Sequence, residues 1–261
     1  MASATLQEVA RGVWVATHEP YTTTTTVVVG AGRGCLVVDP AVSAADLGSL
    51  ADALESRGLE VALGFSTHPH WDHVLWCRRL GAAPRYATAR AARIAEVERD
   101  ALVAGVEAAA PGHDLELFGR LTPLPPEAAA VPWAGPTVQV LAHSAHAAGA
   151  AALWLPEVGV LVAGDLLSDT EIPLLDMEAP DAVGDYRRAL ARFAALGDVA
   201  VVVPGHGHVA DHAGFRQRLE QDLGYLDSLE QGRTPQDGRL TVPWLQSAHE
   251  AQGAYCRGRR R

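Results

Sequence analysis

The sequence predicts a mixed α/β (α+β) fold, and three observations support this class. Runs of β-branched and apolar residues, which favour buried strands, occur in both halves of the chain, at 25–29 and 35–38 and again at 137–141 and 199–203. Stretches with apolar residues at helical spacing alternate with these runs. The order of β-rich run, helix, strand and histidine-containing loop occurs twice in coarse form, although no short sequence repeat is present.

The first third predicts a β-meander followed by a helix and a strand. Strands are predicted at 13–15, 25–29 and 35–38, with a glycine-rich turn before the last of them. A helix is predicted at 44–57 because leucines recur there at helical spacing, namely Leu47, Leu50 and Leu54. A strand at 59–65 then leads into a cluster of histidines.

The middle of the chain is predicted to be mainly helical and then irregular. A helix is expected to begin in 74–80, and one or two helices are expected in 86–110, which is rich in Ala and Arg. Prolines accumulate from there to position 132, so that part is expected to lack regular structure. Whether this segment covers a functional site as a lid or is only a surface insertion stays open.

The second half predicts further strands and two helices. The strands at 151–155 and 158–162 should form a hairpin around Pro156-Glu157. The other predicted elements are strands at 137–141 and 199–203 and helices at 185–196 and 213–231.

Size, charge and cysteine content limit the classes of function. The chain has 261 residues, of which 48% are hydrophobic and 20% charged, as in globular proteins of one large or two small domains. A formal net charge of −10 argues against a nucleic-acid partner and against an anionic membrane surface. The three cysteines are far apart in sequence, and no signal peptide is apparent, so a cytoplasmic protein without a disulfide framework is expected.

Three histidines and an aspartate occur within six positions, directly after the apolar run 61–65. They are His68, His70, Asp72 and His73. Neutral imidazole and carboxylate are the ligands of Zn²⁺ and similar divalent ions. Without a metal these polar groups would need other partners at the end of a core strand, and protonated histidines would repel each other. The cluster therefore predicts a metal site.

More histidines and acids follow the ends of other predicted strands. His143 and His146 follow one strand, and Asp165 follows the hairpin. His206 and His208 follow the last apolar strand. Side chains at rigid strand ends are well positioned for a site. Spacing alone leaves open which histidine of each pair is a ligand.

These residues resemble the metallo-β-lactamase fold superfamily of hydrolases. Its HxHxDH motif stands here as His68-Pro69-His70-Trp71-Asp72-His73. Its other elements stand, in order, as Asp39, His146-Ala147-Ala148-Gly149, Gly164-Asp165 and Pro204-Gly205-His206. The resemblance extends from about Val13 to His206 and implies a four-layer αββα sandwich. It also implies a single domain spanning 1–261, with a helical, proline-rich insertion at about 86–132.

The resemblance also implies a dinuclear site with two Zn²⁺, or alternatively iron or manganese. The first ion would be bound by His68, His70 and His146 and the second by Asp72, His73 and His206, with Asp165 bridging both. Asp39 would support a ligand through hydrogen bonds. The implied reaction is attack of metal-bound hydroxide on a carbonyl, with Asp72 as the catalytic proton acceptor. Trp71 and Ser168 are candidate substrate contacts.

The implied substrate is a small ester, thioester or lactone, as in the glyoxalase II and lactonase branches. No nucleic-acid or membrane partner is expected, and homo-oligomerisation stays open. One alternative is an oxidoreductase that oxidises persulfides with a single iron on His68, His146 and Asp165. A β-lactamase is less favoured because Asp165 is present and a signal peptide is not. A non-catalytic metal-binding protein would be expected to have lost ligands.

Overall fold

The computed structural model describes residues 5–259 and confirms the mixed α/β fold, with two β-sheets packed face to face. The first sheet contains seven strands in sequence order: β1 Gln7–Ala10, β2 Val13–His18, β3 Thr23–Val29, β4 Gly34–Val38, β5 Glu60–Phe65, β6 Arg85–Ala87 and β7 Thr122–Pro123. Strands β2 to β4 form the predicted antiparallel meander, and β1, which was not predicted, pairs with β2. Strands β4 to β7 run parallel to one another.

The second sheet has the order β12-β11-β10-β9-β8. Its strands are β8 Gln139–Ala142, β9 Ala151–Leu155, β10 Val160–Gly164, β11 Val201–Pro204 and β12 Ala210–Asp211. The pairs β8–β9 and β9–β10 are antiparallel, whereas β10 and β11 are parallel. Strands β8, β10 and β11 therefore run in the same direction, and their carboxyl ends lie at the same edge of the sheet.

Helices cover the outer faces of both sheets. They are α1 Ala44–Ser56, α2 Ala89–Val97, α3 Arg99–Ala109, α4 Ala182–Ala194, α5 His212–Gln231 and α6 Pro243–Gly258. Alternation along β4 shows the layering: Leu36 and Val38 belong to the core between the sheets, whereas Cys35 and Val37 pack with α1. A third core joins the second sheet to α4, α5 and α6. These layers confirm the αββα sandwich.

Several elements differ from the sequence prediction, which did not include the short strands β1, β6, β7 and β12. The helix expected in 74–80 is wrong, because the only helical structure there is a single 3₁₀ turn at Arg78–Leu80, which follows another at Trp71–His73. Between them Val74, Leu75 and Trp76 are all buried, and the Val74 carbonyl accepts a hydrogen bond from Gly119 instead of from a helix. Helix α6 was not predicted, since its buried side chains include the polar Gln252.

The segment 86–132 contributes to the first sheet and to its outer layer. It contains α2, α3 and β7, and Val106 and Phe118 are buried in the core beneath α1. The boundaries of an insertion at about 86–132, and the single domain spanning 1–261, stay predictions. Across residues 5–259, none of the helices combines the length and apolar character that a membrane span requires.

Candidate metal centre

The sequence-predicted ligands all follow carboxyl ends of strands, at the edge where the two sheets meet. Asp39 follows β4 and the loop 66–73 follows β5, while Asp165 and His206 follow β10 and β11. Backbone hydrogen bonds join the two sheets at this edge. The Ala151 amide donates to the Thr67 carbonyl (2.8 Å), and the Thr24 amide donates to the Gly205 carbonyl (2.8 Å). The fold thereby brings both halves of the motif set together.

Four side chains form the first group of candidate ligands, namely His68, His70, His146 and Asp165, with their ligand atoms all within 4.8 Å of one another. His146 Nδ1 donates to the Leu174 carbonyl (3.0 Å), which leaves its Nε2 facing His70 Nδ1 at 3.0 Å. His70 is the exposed member of this group, so the site opens to solvent beside it.

Asp72, His73 and His206 form the second group, again with ligand atoms within 4.8 Å of one another. His206 Nε2 lies 3.0 Å from Asp72 Oδ2 and 3.4 Å from His73 Nε2. The other ring nitrogen of His206 donates to the Tyr21 carbonyl (3.0 Å). All three ligand side chains are buried.

The Asp165 carboxylate faces both groups. Its Oδ2 lies 3.3 Å from Nε2 of His68 and 3.3 Å from Nε2 of His146, and its Oδ1 lies 3.2 Å from His73 Nε2. Asp165 Oδ1 and His68 Nε2 are buried and have no hydrogen-bond partner among residues 5–259. Because buried polar atoms are normally paired, these two orphaned atoms and this donor set fit divalent cations.

Asp39 fixes the orientation of one candidate ligand and of the loop that carries the motif. Its carboxylate accepts hydrogen bonds from the Thr67 amide (2.8 Å) and the Thr67 hydroxyl (2.6 Å). It also accepts from His73 Nδ1 at 3.0 Å. A proton on Nδ1 leaves the Nε2 lone pair of His73 available for a metal.

Two glycines of the motifs have steric explanations. A Cβ at Gly205 would overlap Asp165 Oδ1, so no other residue fits before His206 without moving the carboxylate. Gly149 has φ +78°, and a Cβ there would lie 2.8 Å from Ala91 N and Arg90 Cβ at the start of α2. The spacing after His146 thus reflects close contact between its loop and α2.

Burial and the carboxylates shift the pKa values of the site histidines in opposite directions. Burial lowers the pKa of His70 to about 4, and the neighbouring His146 contributes in the same direction. Burial opposes protonation of His206 as well, but Asp165 and Asp72 outweigh it and raise its pKa to about 10. A cation that binds here therefore displaces protons and takes their place beside the acids.

Two buried arginines hold the loop that follows Asp165. Arg239 Nη1 donates to the carbonyls of Ser168 and Glu171, both at 2.9 Å, and to Asp222 at 2.7 Å. Arg218 donates to the carbonyl of Leu167 (3.2 Å), a residue with φ +59°. Sequence reasoning missed both arginines and Asp222, because nothing local distinguishes them from surface charges.

The histidines that competed for ligand roles lie outside both groups. His143 Nδ1 accepts a hydrogen bond from the Ala145 amide (3.3 Å), and its ring lies against Phe193. His208 is exposed and pairs with Asp169 at 2.9 Å. The geometry therefore favours His146 and His206 over these neighbours.

The two candidate substrate contacts have other neighbours in the structure. The Trp71 ring lies edge-on to Tyr21, with centroids 6.2 Å apart, and packs against Gly105 of α3. The Ser168 hydroxyl accepts hydrogen bonds from the amides of Thr170 (3.1 Å) and Glu171 (3.0 Å). Neither side chain lines the cavity described next, and their substrate roles stay predictions.

A cavity of about 750 Å³ adjoins the first ligand group. The wall next to the candidate ligands is formed by His70, His146 and the segment Ala147-Ala148. Helix α2 forms a second wall, and residues 175–178 form a third. A cleft of this size suits a small organic molecule.

Comparison with known proteins identifies the family. The model of the metallo-beta-lactamase superfamily matches residues 19–206. A hydroxyacylglutathione hydrolase of Methylobacterium nodulans is 26% identical over 233 residues, covering 86% of this chain and 82% of that protein. A hydroxyacylglutathione hydrolase of Ruegeria pomeroyi is 28% identical over 223 residues, covering 83% of this chain and 76% of that protein.

Solved structures agree with this match. A metallo-beta-lactamase family protein from Thermus thermophilus has a TM-score of 0.65 and 28% identity, covering 85% of this chain and 82% of its own. A beta-lactamase domain protein from Burkholderia ambifaria has a TM-score of 0.68 at 22% identity, and the match covers 88% of this chain and 75% of that one. This second similarity shows a shared fold. The chain therefore belongs to the metallo-β-lactamase superfamily and is a hydrolase of that family, as its motifs predicted.

Proposed function

We propose that this protein is a dinuclear zinc hydrolase of a small carboxylic ester, thioester or lactone. The observation that carries the proposal is the Asp165 carboxylate, which faces His68 and His146 with one oxygen and His73 with the other. A single carboxylate between two sets of imidazoles suits a pair of cations better than one. His68, His70 and His146 would hold one ion, and Asp72, His73 and His206 would hold the other.

Two zinc ions at this position would polarise a carbonyl and lower the pKa of bound water to roughly 7. The protein's own residues contribute orientation and proton transfer. Asp39 and the Leu174 carbonyl hold the rings of His73 and His146 by their Nδ1 atoms. We assign to Asp72 the role of accepting a proton at the carboxylate oxygen that faces His206.

Substrate would approach from the cavity beside His70, the exposed member of the ligand set. The relatives in Methylobacterium and Ruegeria are named for the hydrolysis of hydroxyacylglutathione, which is consistent with an acyl substrate here. A cytoplasmic location, and a small molecule as the partner, are parts of the same proposal.

The test combines metal analysis with hydrolysis. Purified protein should contain about two zinc ions per chain and should hydrolyse members of a panel of aryl esters, thioesters and lactones. Activity should disappear with a chelator and return with zinc. Asp165→Asn should lower zinc content and activity together, whereas Asp198→Asn, an exposed control, should change neither.

Two results would contradict the proposal. One iron per chain with no hydrolysis of any panel member would favour the mononuclear oxidoreductase. Full zinc content and turnover in Asp165→Asn would exclude the bridging role of that carboxylate.

A further inference from the structure

Helix α2 presents one face to the cavity beside the metal centre. Arg90, Arg93, Ile94 and Val97 line the cavity, and their spacing of i, i+3, i+4 and i+7 places them on a single face. The opposite face carries Ala91, Ala92 and Ala95, which are buried against the protein. The small alanines anchor the helix, so the face with the larger side chains is directed at the cavity.

The apolar part of this face is unusually exposed. Val97 is 73% exposed, and Met177 on another wall of the same cavity is 43% exposed. These are two of the six large apolar side chains that are exposed in residues 5–259. Ile94 and Leu102 add partly buried apolar surface between them. A cluster of exposed apolar side chains at one cleft indicates a ligand that covers it.

The charged part of the face lacks counter-charges. Arg90 and Arg93 are one helical turn apart, and the guanidinium group of neither forms a hydrogen bond or an ion pair within residues 5–259. Three acids also line the cavity, namely Glu98, Asp176 and Glu178, but none has an oxygen within 4.0 Å of either guanidinium. In a chain of net charge −10, two unpaired cations beside the metal centre suit an anionic group.

The positions of the charges give the ligand an orientation. Arg90 lies next to Gly149, in the loop that begins with the candidate ligand His146. Val97 lies two turns further along α2, about 10 Å away by the rise of an α-helix. Asp176 and Glu178 would repel an anion from the wall formed by residues 175–178, and Glu98 would repel it from the carboxyl end of α2, whereas Arg90 and Arg93 attract it to the first two turns of this helix. The anionic group is thus directed to α2, with apolar surface alongside it.

We propose that the substrate is an amphipathic anion, in which an apolar group packs on Ile94, Val97, Leu102 and Met177 while a carboxylate, sulfonate or phosphate binds Arg90 and Arg93. The hydrolysed bond rests on the function proposed above. Recognition of the amphipathic anion rests only on the cavity, so it can be tested by binding without turnover.

The binding test uses three simple probes with the zinc-loaded protein in calorimetry. 1-Octanesulfonate has both an apolar chain and an anion, 1-octanol has only the chain, and methanesulfonate has only the anion. The wild-type protein should bind 1-octanesulfonate at least about tenfold more tightly than either partial probe. Added salt should weaken the binding of the sulfonates but not that of the alcohol.

Variants separate the two contributions. Arg90→Gln with Arg93→Gln should weaken 1-octanesulfonate binding about tenfold and leave 1-octanol unaffected. Val97→Asn with Met177→Gln should weaken both octyl probes. The matched control, Arg11→Gln with Arg216→Gln, removes two exposed positive charges that do not line the cavity and should have no effect. All these side chains are exposed, so folding should be preserved.

A hydrolysis test then links recognition to the reaction. The mono-p-nitrophenyl ester of suberic acid carries a terminal carboxylate, and p-nitrophenyl octanoate is its neutral counterpart of equal chain length. The variant with Arg90→Gln and Arg93→Gln should have a raised KM for the suberate ester. Its KM for p-nitrophenyl octanoate should be unchanged. Equal binding of all three probes, or equal affinity in the arginine variant and its control, would overturn the inference. Selective probe binding without hydrolysis of either ester, or of any ester, thioester or lactone of the panel, would instead contradict only the proposed function.

Discussion

Asp39 is one of only three residues other than glycine that have a positive φ within residues 5–259. Its φ of +47° turns the chain after β4, so that its carboxylate reaches both Thr67 and His73. Left-handed backbone is tolerated by Asp and Asn better than by most residues. An unusual conformation at a single residue therefore orients the candidate ligand His73.

Asp39→Asn should lower zinc affinity by about 10- to 100-fold, because the amide is a weaker acceptor for the His73 Nδ1 proton while the backbone stays unstrained. Competition with a chromogenic chelator measures this. Asp198→Asn on the surface serves as the control. Unchanged zinc affinity in Asp39→Asn would show that His73 does not need this partner.

His143 is a half-buried histidine that lies outside both groups of candidate ligands. Burial, with His146 and Arg192 nearby, lowers its pKa from 6.5 to about 3, and its Nε2 has no partner among the described residues. Because the folded state holds the ring neutral, the unfolded state binds more protons between these two pKa values. The contribution of His143 to stability is therefore complete above 6.5 and decreases as the pH falls below it.

His143→Leu should remove this pH dependence. Between pH of about 7.5 and about 5.5, the wild-type protein should lose about 1.4 kcal/mol of unfolding free energy more than the variant. Near neutral pH the variant should be less stable than the wild type, because the buried Ala145 amide loses its acceptor, and this loss should be the same at both pH values. Urea unfolding of both proteins at the two pH values measures the difference. Parallel losses would show that His143 is protonated in the folded protein.

At the scale of elements, residues of α5 and of the segment before α6 hold the loop that follows Asp165. Arg218 on α5 and Arg239 before α6 bind backbone carbonyls of the loop that carries Asp165. Asp222 on α5 is 1% exposed and pairs with Arg239. A buried pair of this kind contributes little net stability, but it specifies one loop conformation, and loss of one partner is costly.

Arg239→Met should lower the free energy of unfolding by about 3–5 kcal/mol, because Asp222 is left buried without its partner. Zinc affinity should fall as well, since the loop after Asp165 loses its donors. The matched control is Arg187→Met on α4, whose ion pairs with Asp227 and Glu230 are on the surface and worth at most about 1 kcal/mol.

Urea unfolding and chelator competition report the two effects separately. Adding Asp222→Leu to Arg239→Met should recover part of the stability by removing the unpaired acid. The support role would be wrong if Arg239→Met bound zinc as tightly as Arg187→Met.

At the scale of the whole molecule, the candidate ligands come from both sheets. His68, His70 and His73 follow β5 in the first sheet, whereas His146, Asp165 and His206 follow strands of the second. Bound cations would therefore connect the two halves of the sandwich. Ligands that bind only the native state stabilise it by mass action.

Removal of zinc should lower the stability of the whole molecule. At free zinc of 100 times its Kd, each site should add about 2.7 kcal/mol to the free energy of unfolding. Urea titrations with zinc and with chelator measure the change. Asp165→Asn should respond much less to zinc, and equal midpoints for the wild-type protein in both conditions would contradict a native-state site.

Prediction of the fold from sequence succeeded where the apolar pattern of a segment matches the burial of its side chains in the structure. Apolar runs became buried strands such as β9 and β11, and leucine spacing marked α1. It failed at 74–80, where Val74 to Trp76 are buried by contacts from several directions rather than on one helical face. Helix α6 was missed although Pro243 occupies its first turn, a recognisable start signal.

The sequence by itself determined the chemistry of this protein. The type of a residue determines which of its atoms can bind a metal. The sequence motifs therefore indicate which side chains of this protein are available as ligands. The resemblance of the motifs implied a central Asp165 and favoured His146 and His206, and the tertiary structure supplied the distances that bring them together while His143 and His208 lie outside both groups. The structure also placed Arg239 behind the metal centre and α2 beside it. These relations depend on how strands and helices distant in sequence pack, which no local pattern encodes.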